Sequence, residues 1–336
     1  GYSSYTPQTF MTQLSAQDYG RLQEKLYRFP GFFIQNRMLR EYAYPVAANV
    51  LGNIREVSPG DIEKDSYYTR GDYTGDLGIE RSYENILRGE KGVEILLRDA
   101  HGRVKGRYED GRYDVAPVSG KNLNLSLDIE LQAYGEKLMQ NKIGAIVAIE
   151  PSTGEILAMV SSPTYDPSML VGRERGRNYL KLNRDRYKPL FDRALMAAYP
   201  PGSTFKILTT LEYIQEHADY ENYSYTCTGS YTVGNHTIHC YGNKSHGTQN
   251  LRQAFANSCN GAFAEIGMQI NSEKFRALAN QMLFNSELPY TLPYNQSTFS
   301  LDGSSDDWEK LQTAIGQGKT QITPLHNLMI VSAIAN

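Results

Sequence analysis

An α+β fold divided into two domains near Lys121 is what this sequence predicts, and three observations carry the prediction. Residues 1–121 are short polar segments rich in Gly, Tyr and charge, with few periodic apolar runs. From 122 to 336 the texture changes to apolar runs of strand length interleaved with amphipathic runs of helix length. The 336 residues also exceed one average domain and suffice for two, each with its own core.

In the first half, residues 82–87 read as a short helix closed by Gly89. Glu80, Arg81 and Glu84 either form an ion-pair network pinning this domain to the next or stand as ordinary surface charges. In the second half, Leu123, Leu125 and Leu127 alternate with polar residues as a half-buried strand does. Asp128 then caps a helix carrying Leu131, Tyr134 and Leu138. Residues 144–150 and 155–161 are two apolar strands joined by Pro151-Ser152-Thr153-Gly154, a hairpin signal. Helices follow from Thr204, over 251–257 and over 262–270, and an apolar helix-like run covers 325–334. Strands flanking a helical cluster give an antiparallel sheet with helices packed on it.

Net charge is only −3, so no polyanion partner such as nucleic acid is implied, and the scattered charges read as solvated faces. The 25 tyrosines suit packing, interface or glycan contact alike. No apolar run approaches the ~18–20 residues that cross a bilayer.

The chemistry concentrates in Tyr199-Pro200-Pro201-Gly202-Ser203-Thr204-Phe205-Lys206. Behind the Pro-Pro-Gly breaker, Ser203 stands where a helix begins, and its N–H sits at the positive end of the helix dipole, suited to an oxyanion. One turn on, Lys206 falls on the same face, within reach of the hydroxyl. A serine is a poor nucleophile until a neighbour takes its proton, and a partly buried lysine of lowered pKa does so. Downstream, Ser258-Cys259-Asn260 lies between two helical stretches.

Three cysteines, Cys227, Cys240 and Cys259, leave one thiol unpaired in any disulfide scheme. With His246 they form the set Cys227-x12-Cys240-x5-His246-x12-Cys259, three thiolates and an imidazole of the kind that holds structural zinc. Spacing alone leaves both that site and a disulfide plus a buried thiol open. His236 and His239 are rival ligands.

Ser203-x-x-Lys206 followed by Ser258-x-Asn260 resembles the active-site pattern of penicillin-binding transpeptidases and serine β-lactamases. The surrounding wording is similar to class B penicillin-binding proteins, most of all their elongation-type branch. It includes the stretch from Ala148 through Glu150-Pro151-Ser152-Thr153-Gly154-Glu155 to Ala158, Ser161-Ser162-Pro163-Thr164-Tyr165-Asp166-Pro167, and Gly316-Gln317-Gly318 before Thr323-Pro324-Leu325. Arg40-Glu41-Tyr42-Ala43-Tyr44-Pro45 and Gly78-Ile79-Glu80-Arg81-Ser82-Tyr83-Glu84-Asn85 match pedestal motifs of that class.

The resemblance implies an N-terminal pedestal over 1–121 and a transpeptidase domain over 122–336. It also implies a peptidoglycan D,D-transpeptidase that cross-links stem peptides ending in D-Ala-D-Ala and is acylated by β-lactams. In that role Ser203 is the nucleophile and Lys206 its base, while Ser258 relays a proton to the amine and Asn260 holds substrate and Lys206. Zinc on Cys227, Cys240, His246 and Cys259 is implied too, because the family's ligand falls in the middle of Ser-x-Asn and in a Ser-His-Gly loop. No catalytic cofactor is implied. The expected partners are a membrane glycosyltransferase and other elongation proteins, in the periplasm, around an enzyme with one N-terminal membrane span absent from this chain.

The family's third motif, Lys-Thr-Gly, occurs nowhere in the chain, and Lys319 in Gly318-Lys319-Thr320-Gln321 reads as a surface residue. The apolar run stopping at Asn336 without a cap reads as a chain cut in mid-domain. A fragment so cut is expected to be inactive and to bind β-lactams poorly. Two other readings stand beside the transpeptidase. One is a catalytically silent scaffold of the elongation complex; the other, a β-lactamase or β-lactam receptor, is disfavoured by the pedestal motifs.

Overall fold

The computed structural model describes residues 10–11, 14–32, 34, 40–100 and 104–336. Contacts divide the chain into two compact units, one of Gly1–Ile143 with Val160–Phe191 and the other of Gly144–Met159 with Asp192–Asn336. Helix and strand are mixed in both, as expected of an α+β chain.

The first unit begins with α1 (Ala16–Gln23), α2 (Ala48–Leu51), β1 (Asn53–Glu56) and α3 (Pro59–Lys64). β2 (Tyr73–Leu77) pairs antiparallel with β1, and α4 (Gly78–Ser82) and α5 (Glu84–Leu87) follow. β3 (Leu96–Arg98) and β4 (Val104–Arg107) form a second antiparallel pair. α6 (Ile129–Leu138) and α7 (Arg175–Arg184) complete the unit. The expected single helix over 82–87 is broken at Tyr83 (φ −114°), although Gly89 does close it in the left-handed region at φ +69°. Among the described residues no Glu80–Arg81–Glu84 network forms. Glu80 pairs with Arg40 at 2.7 Å, and Glu84 accepts from the Gly75 N–H and the Tyr68 hydroxyl. Tyr68 and Gly75 both lie upstream of α4, so the carboxylate closes the β2–α4 turn rather than reaching a cation.

One further expectation fails here. Residues 123–127 form no strand, because a ladder needs a partner strand and none pairs with them among the described residues. α6 is capped by Asp128 as foreseen, its carboxylate accepting from the N–H groups of Glu130 and Leu131 at 2.9 Å. Its apolar side chains Leu131, Tyr134 and Leu138 are nevertheless exposed, whereas Gln132 and Gly135 are buried. The small residue permits close approach, and the Gln132 amide is satisfied by Glu136 at 3.0 Å.

The second unit opens with β5 (Gly144–Ile149), paired around the foreseen turn, with Gly154 at φ +78°, to β6 (Ile156–Ser162), whose last three residues count with the first unit. α8 (Lys206–Glu216), β7 (Ser224–Cys227), β8 (Ser230–Val233), β9 (His236–His239) and β10 (Gly247–Asn250) follow. β8 pairs with β9, and β10 with β7. The remainder is helical: α9 (Leu251–Ala256), α10 (Asn260–Gln269), α11 (Ser272–Gln281), α12 (Asp307–Ala314) and α13 (Pro324–Ala335). At its core Phe205, Phe275, Phe284 and Phe299 pack ring to ring, with Phe205 centroids 5.8, 5.8 and 6.0 Å from the other three. Each such pair adds about 0.5–1.5 kcal/mol beyond burial. Because Phe205 lies between Ser203 and Lys206, the core itself fixes the segment that carries both.

Candidate active site

The run 199–206 is held at both ends. Tyr199 and Ile322 exchange backbone hydrogen bonds at 3.0 and 2.8 Å, and the Gly202 N–H donates to the Gly316 carbonyl at 2.7 Å. Gly202 (φ +61°) and Gly316 (φ +73°) both take a conformation that favours glycine, and a Cβ on Gly316 would lie 2.0 Å from the Gly202 oxygen. Pro201 precedes a single 3₁₀ turn, Gly202–Phe205, and α8 begins only at Lys206. Ser203 thus lies in the first turn of a helical segment, where a backbone N–H has no partner within the helix.

Lys206 is 1% exposed, and its three ammonium hydrogens are all engaged. They go to the Ser258 carbonyl (2.8 Å), the Ser258 hydroxyl (3.0 Å) and Asn260 Oδ1 (2.7 Å). Ser258 Oγ in turn lies 2.9 Å from Ser203 Oγ. Ser203 and Lys206 therefore meet through Ser258 rather than directly, which differs from the contact that helical spacing implies. Spacing fails because the backbone passes from a 3₁₀ turn to an α-helix between the two residues. Burial drives the Lys206 pKa down from 10.5 to about 8, against an opposing pull from Cys259 and Cys240. A lysine so placed carries a usable fraction of free amine near neutrality.

Ser258 stands between α9 and α10 at φ +49°, an unusual conformation for a residue with a side chain and one that concentrates at functional sites. Asn260 opens α10, and its amide is fixed from both sides: Oδ1 accepts from Lys206 and Nδ2 donates to the His239 carbonyl at 2.9 Å. That carbonyl is a site component with no sequence signature, since any residue supplies it. Lys319 is exposed and pairs with Glu309 at 3.3 Å, as a surface lysine does.

At the 258–260 loop, the ligand atoms of Cys227, Cys240, His246 and Cys259 all lie within 4.8 Å of one another. Cys227 Sγ is 3.7 Å from Cys240 Sγ and 3.5 Å from His246 Nδ1, and Cys240 Sγ is 3.8 Å from Cys259 Sγ. Ligands on a tetrahedral zinc stand about 3.8 Å apart for two thiolates and about 3.5 Å for a thiolate and an imidazole. A disulfide requires about 2.05 Å. The donor set fits zinc. Burial opposes ionisation of Cys227, but the Gly229 N–H and His246 outweigh it and bring its pKa down to about 6. Cys259 is pushed up to about 12, first by burial. Among the described residues the rival histidines stay outside the cluster: His236 stacks on Trp308 with centroids 4.9 Å apart, and His239 contributes its carbonyl to Asn260.

A serine hydroxyl linked through a second hydroxyl to a buried lysine, on a mixed helix–strand scaffold, is the arrangement that serine acyl-enzyme chemistry requires. The family profile described as the penicillin binding protein transpeptidase domain matches residues 144–336, and that of the penicillin-binding protein dimerisation domain matches 1–125. The chain belongs to the penicillin-binding protein transpeptidase family. It is 30% identical over 338 residues to the peptidoglycan D,D-transpeptidase MrdA of Acinetobacter baumannii, covering 96% of this chain and 50% of that protein. It resembles the penicillin-binding protein PBP2 of Helicobacter pylori, solved in complex with MreC, at TM-score 0.87 and 29% identity over 96% of this chain and 62% of that one. A penicillin G acyl-enzyme of penicillin-binding protein A from M. tuberculosis matches at TM-score 0.70 and 30% identity over 89% of this chain and 66% of that one. The chain spans about half the length of the curated relatives it matches. Among the described residues no helix is long and apolar enough to cross a membrane.

Proposed function

We propose that this chain is the acyl-transfer portion of an elongation-type peptidoglycan D,D-transpeptidase. The observation that carries the reading is the relay Ser203–Ser258–Lys206, with contacts of 2.9 and 3.0 Å ending on a buried lysine. In the free-amine form of Lys206 the same two contacts run in the opposite sense. Ser203 donates to Ser258, and Ser258 donates to Nζ. Ser203 Oγ then bonds to the carbonyl carbon between the last two D-alanines of a stem peptide. Its proton passes to Ser258 while the Ser258 proton passes to Lys206, and the Ser203 N–H holds the oxyanion. As the C–N bond breaks, the proton returns by the same path to the D-alanine nitrogen. An amine of a second stem peptide attacks the acyl-enzyme, gives its proton to Lys206 through Ser258, and Ser203 regains its hydroxyl. β-Lactams enter the first half of this cycle and stop at the acyl-enzyme, the state in which the M. tuberculosis relative was solved.

Cys227, Cys240, His246 and Cys259 would hold zinc as a structural cross-link, since four protein ligands leave no open position. Cys259 separates Ser258 from Asn260, and Cys240 follows the carbonyl that orients Asn260, so the cluster braces the loop from two directions. The complex of the H. pylori relative with MreC supports a partner of that kind for this chain, alongside a membrane glycosyltransferase. A periplasmic location with a single N-terminal membrane span is part of the same proposal.

The 336 residues hold no Lys-Thr-Gly, so the deciding assay uses the full-length protein. Fluorescent penicillin should label the wild type and leave Ser203→Ala dark. Absence of serine-dependent labelling would sink the enzyme in favour of a scaffold, and hydrolysis of the adduct within seconds would indicate a β-lactamase.

A further inference from the structure

Gly261 follows Asn260 in the first turn of α10 and is buried. A Cβ built there meets one atom at a forbidden distance, the Tyr225 hydroxyl oxygen at 2.8 Å. The next nearest, Tyr225 Cε1 and Cζ, are at 3.4 Å, an ordinary contact. Tyr225 has little room to retreat. It sits on β7 opposite Gln249, its ring meets Tyr231 edge-on at 6.3 Å, and its hydroxyl reaches the Ser230 carbonyl at 3.4 Å. Two residues further, the same strand ends in Cys227 of the thiol cluster. The turn resting on this phenol is tied to the loop before it, because Cys259 Sγ accepts from the Ala262 N–H at 3.4 Å.

We propose that Tyr225 is a positioning residue for the acyl-transfer site: its phenol, seated on Gly261, sets the first turn of α10 and with it the 258–260 segment that holds Lys206. The inference rests on the transpeptidase reading and names a residue that the Ser-x-x-Lys and Ser-x-Asn motifs do not contain. Its mark is reciprocity. A methyl at 261 and a hydroxyl at 225 compete for one space, so removal of the oxygen readmits the methyl.

The test is a double-mutant cycle in the full-length protein, with Gly261→Ala, Tyr225→Phe and the pair together. Penicillin acylation rate, the midpoint of its pH profile, and hydrogen exchange at the Cys259 and Ala262 amides are measured. Gly261→Ala should slow acylation by about tenfold to a hundredfold, move the pH midpoint and lose protection at both amides. Adding Tyr225→Phe should bring all three back to within about threefold of Tyr225→Phe alone. A Gly261→Ala variant that behaves as wild type, or one that Tyr225→Phe does not rescue, overturns the proposal. Should Gly261→Ala fail to fold, a folded and reactive double variant supports it and an unfolded double variant overturns it. If the wild type itself is never acylated, the transpeptidase reading falls, while the exchange data alone still decide whether Tyr225 seats the turn.

Discussion

Penicillin acylation of the full-length protein should climb about thirtyfold between pH 6.5 and pH 9 and then level off. The number follows from one side chain. Burial lowers the Lys206 pKa from 10.5 to about 8, a bias against the ammonium of roughly 3 kcal/mol. At pH 7 about one molecule in ten then carries the free amine that the relay needs, against about one in three thousand for an ordinary lysine. The assay is the rate of adduct formation at fixed, subsaturating penicillin, read by quenched-gel fluorescence and checked by intact mass. A rate still rising tenfold per pH unit beyond pH 9.5 would mean an unperturbed lysine and would refute the argument. Lys206→Arg, which cannot release a proton in this range, should lose acylation at every pH. The linkage sign is a separate check: the folded state sheds this proton first, so the contribution of Lys206 to stability rises with pH from about 8 to 10.5.

Three further outcomes are expected. Phe205→Ala should lower unfolding free energy by about 3–5 kcal/mol in urea titration, since it empties the centre of the four-ring core; a loss under about 1 kcal/mol would contradict that placement. Chelator treatment and Cys259→Ser should each lower the melting temperature and slow acylation together, and unchanged melting in both would remove the zinc proposal. Glu212 is buried, and burial, followed by its hydrogen bond with Glu216, raises its pKa to about 7. The folded state therefore keeps a proton that the unfolded state releases, so stability should fall as pH rises from about 4.5 to about 7 and stay flat above. Glu212→Gln should flatten that slope in denaturation midpoints taken at pH 5 and pH 8, and an unchanged slope would exclude Glu212 as its source.

What could be read from residue order is what neighbouring residues decide. The Asp128 cap, the hairpin closed by Gly154 and the helix starting at Leu251 depend on contacts within a turn or two, and they stand where expected. The identities of Ser203, Lys206, Ser258 and Asn260 were legible from motif spacing, and the structure brings all four together. Their wiring was not. Ser258 reaches between Ser203 and Lys206 from a backbone that turns left-handed, which no short motif encodes. The partners of Phe205 arrive from Phe275, Phe284 and Phe299, and Tyr225 meets Gly261 from a different strand. Such contacts exist only once the chain is folded. The strand expected over 123–127 failed for the same reason, since alternation marks a willing strand but cannot supply its neighbour.

The crossing of Gly202 over Gly316 limits which sequences this backbone can carry. Any side chain introduced at Gly316 collides with the peptide group just before Ser203, whatever molecule Ser203 meets. A substitution there has to displace the Gly202 carbonyl, and Ser203, bonded to it, moves as well.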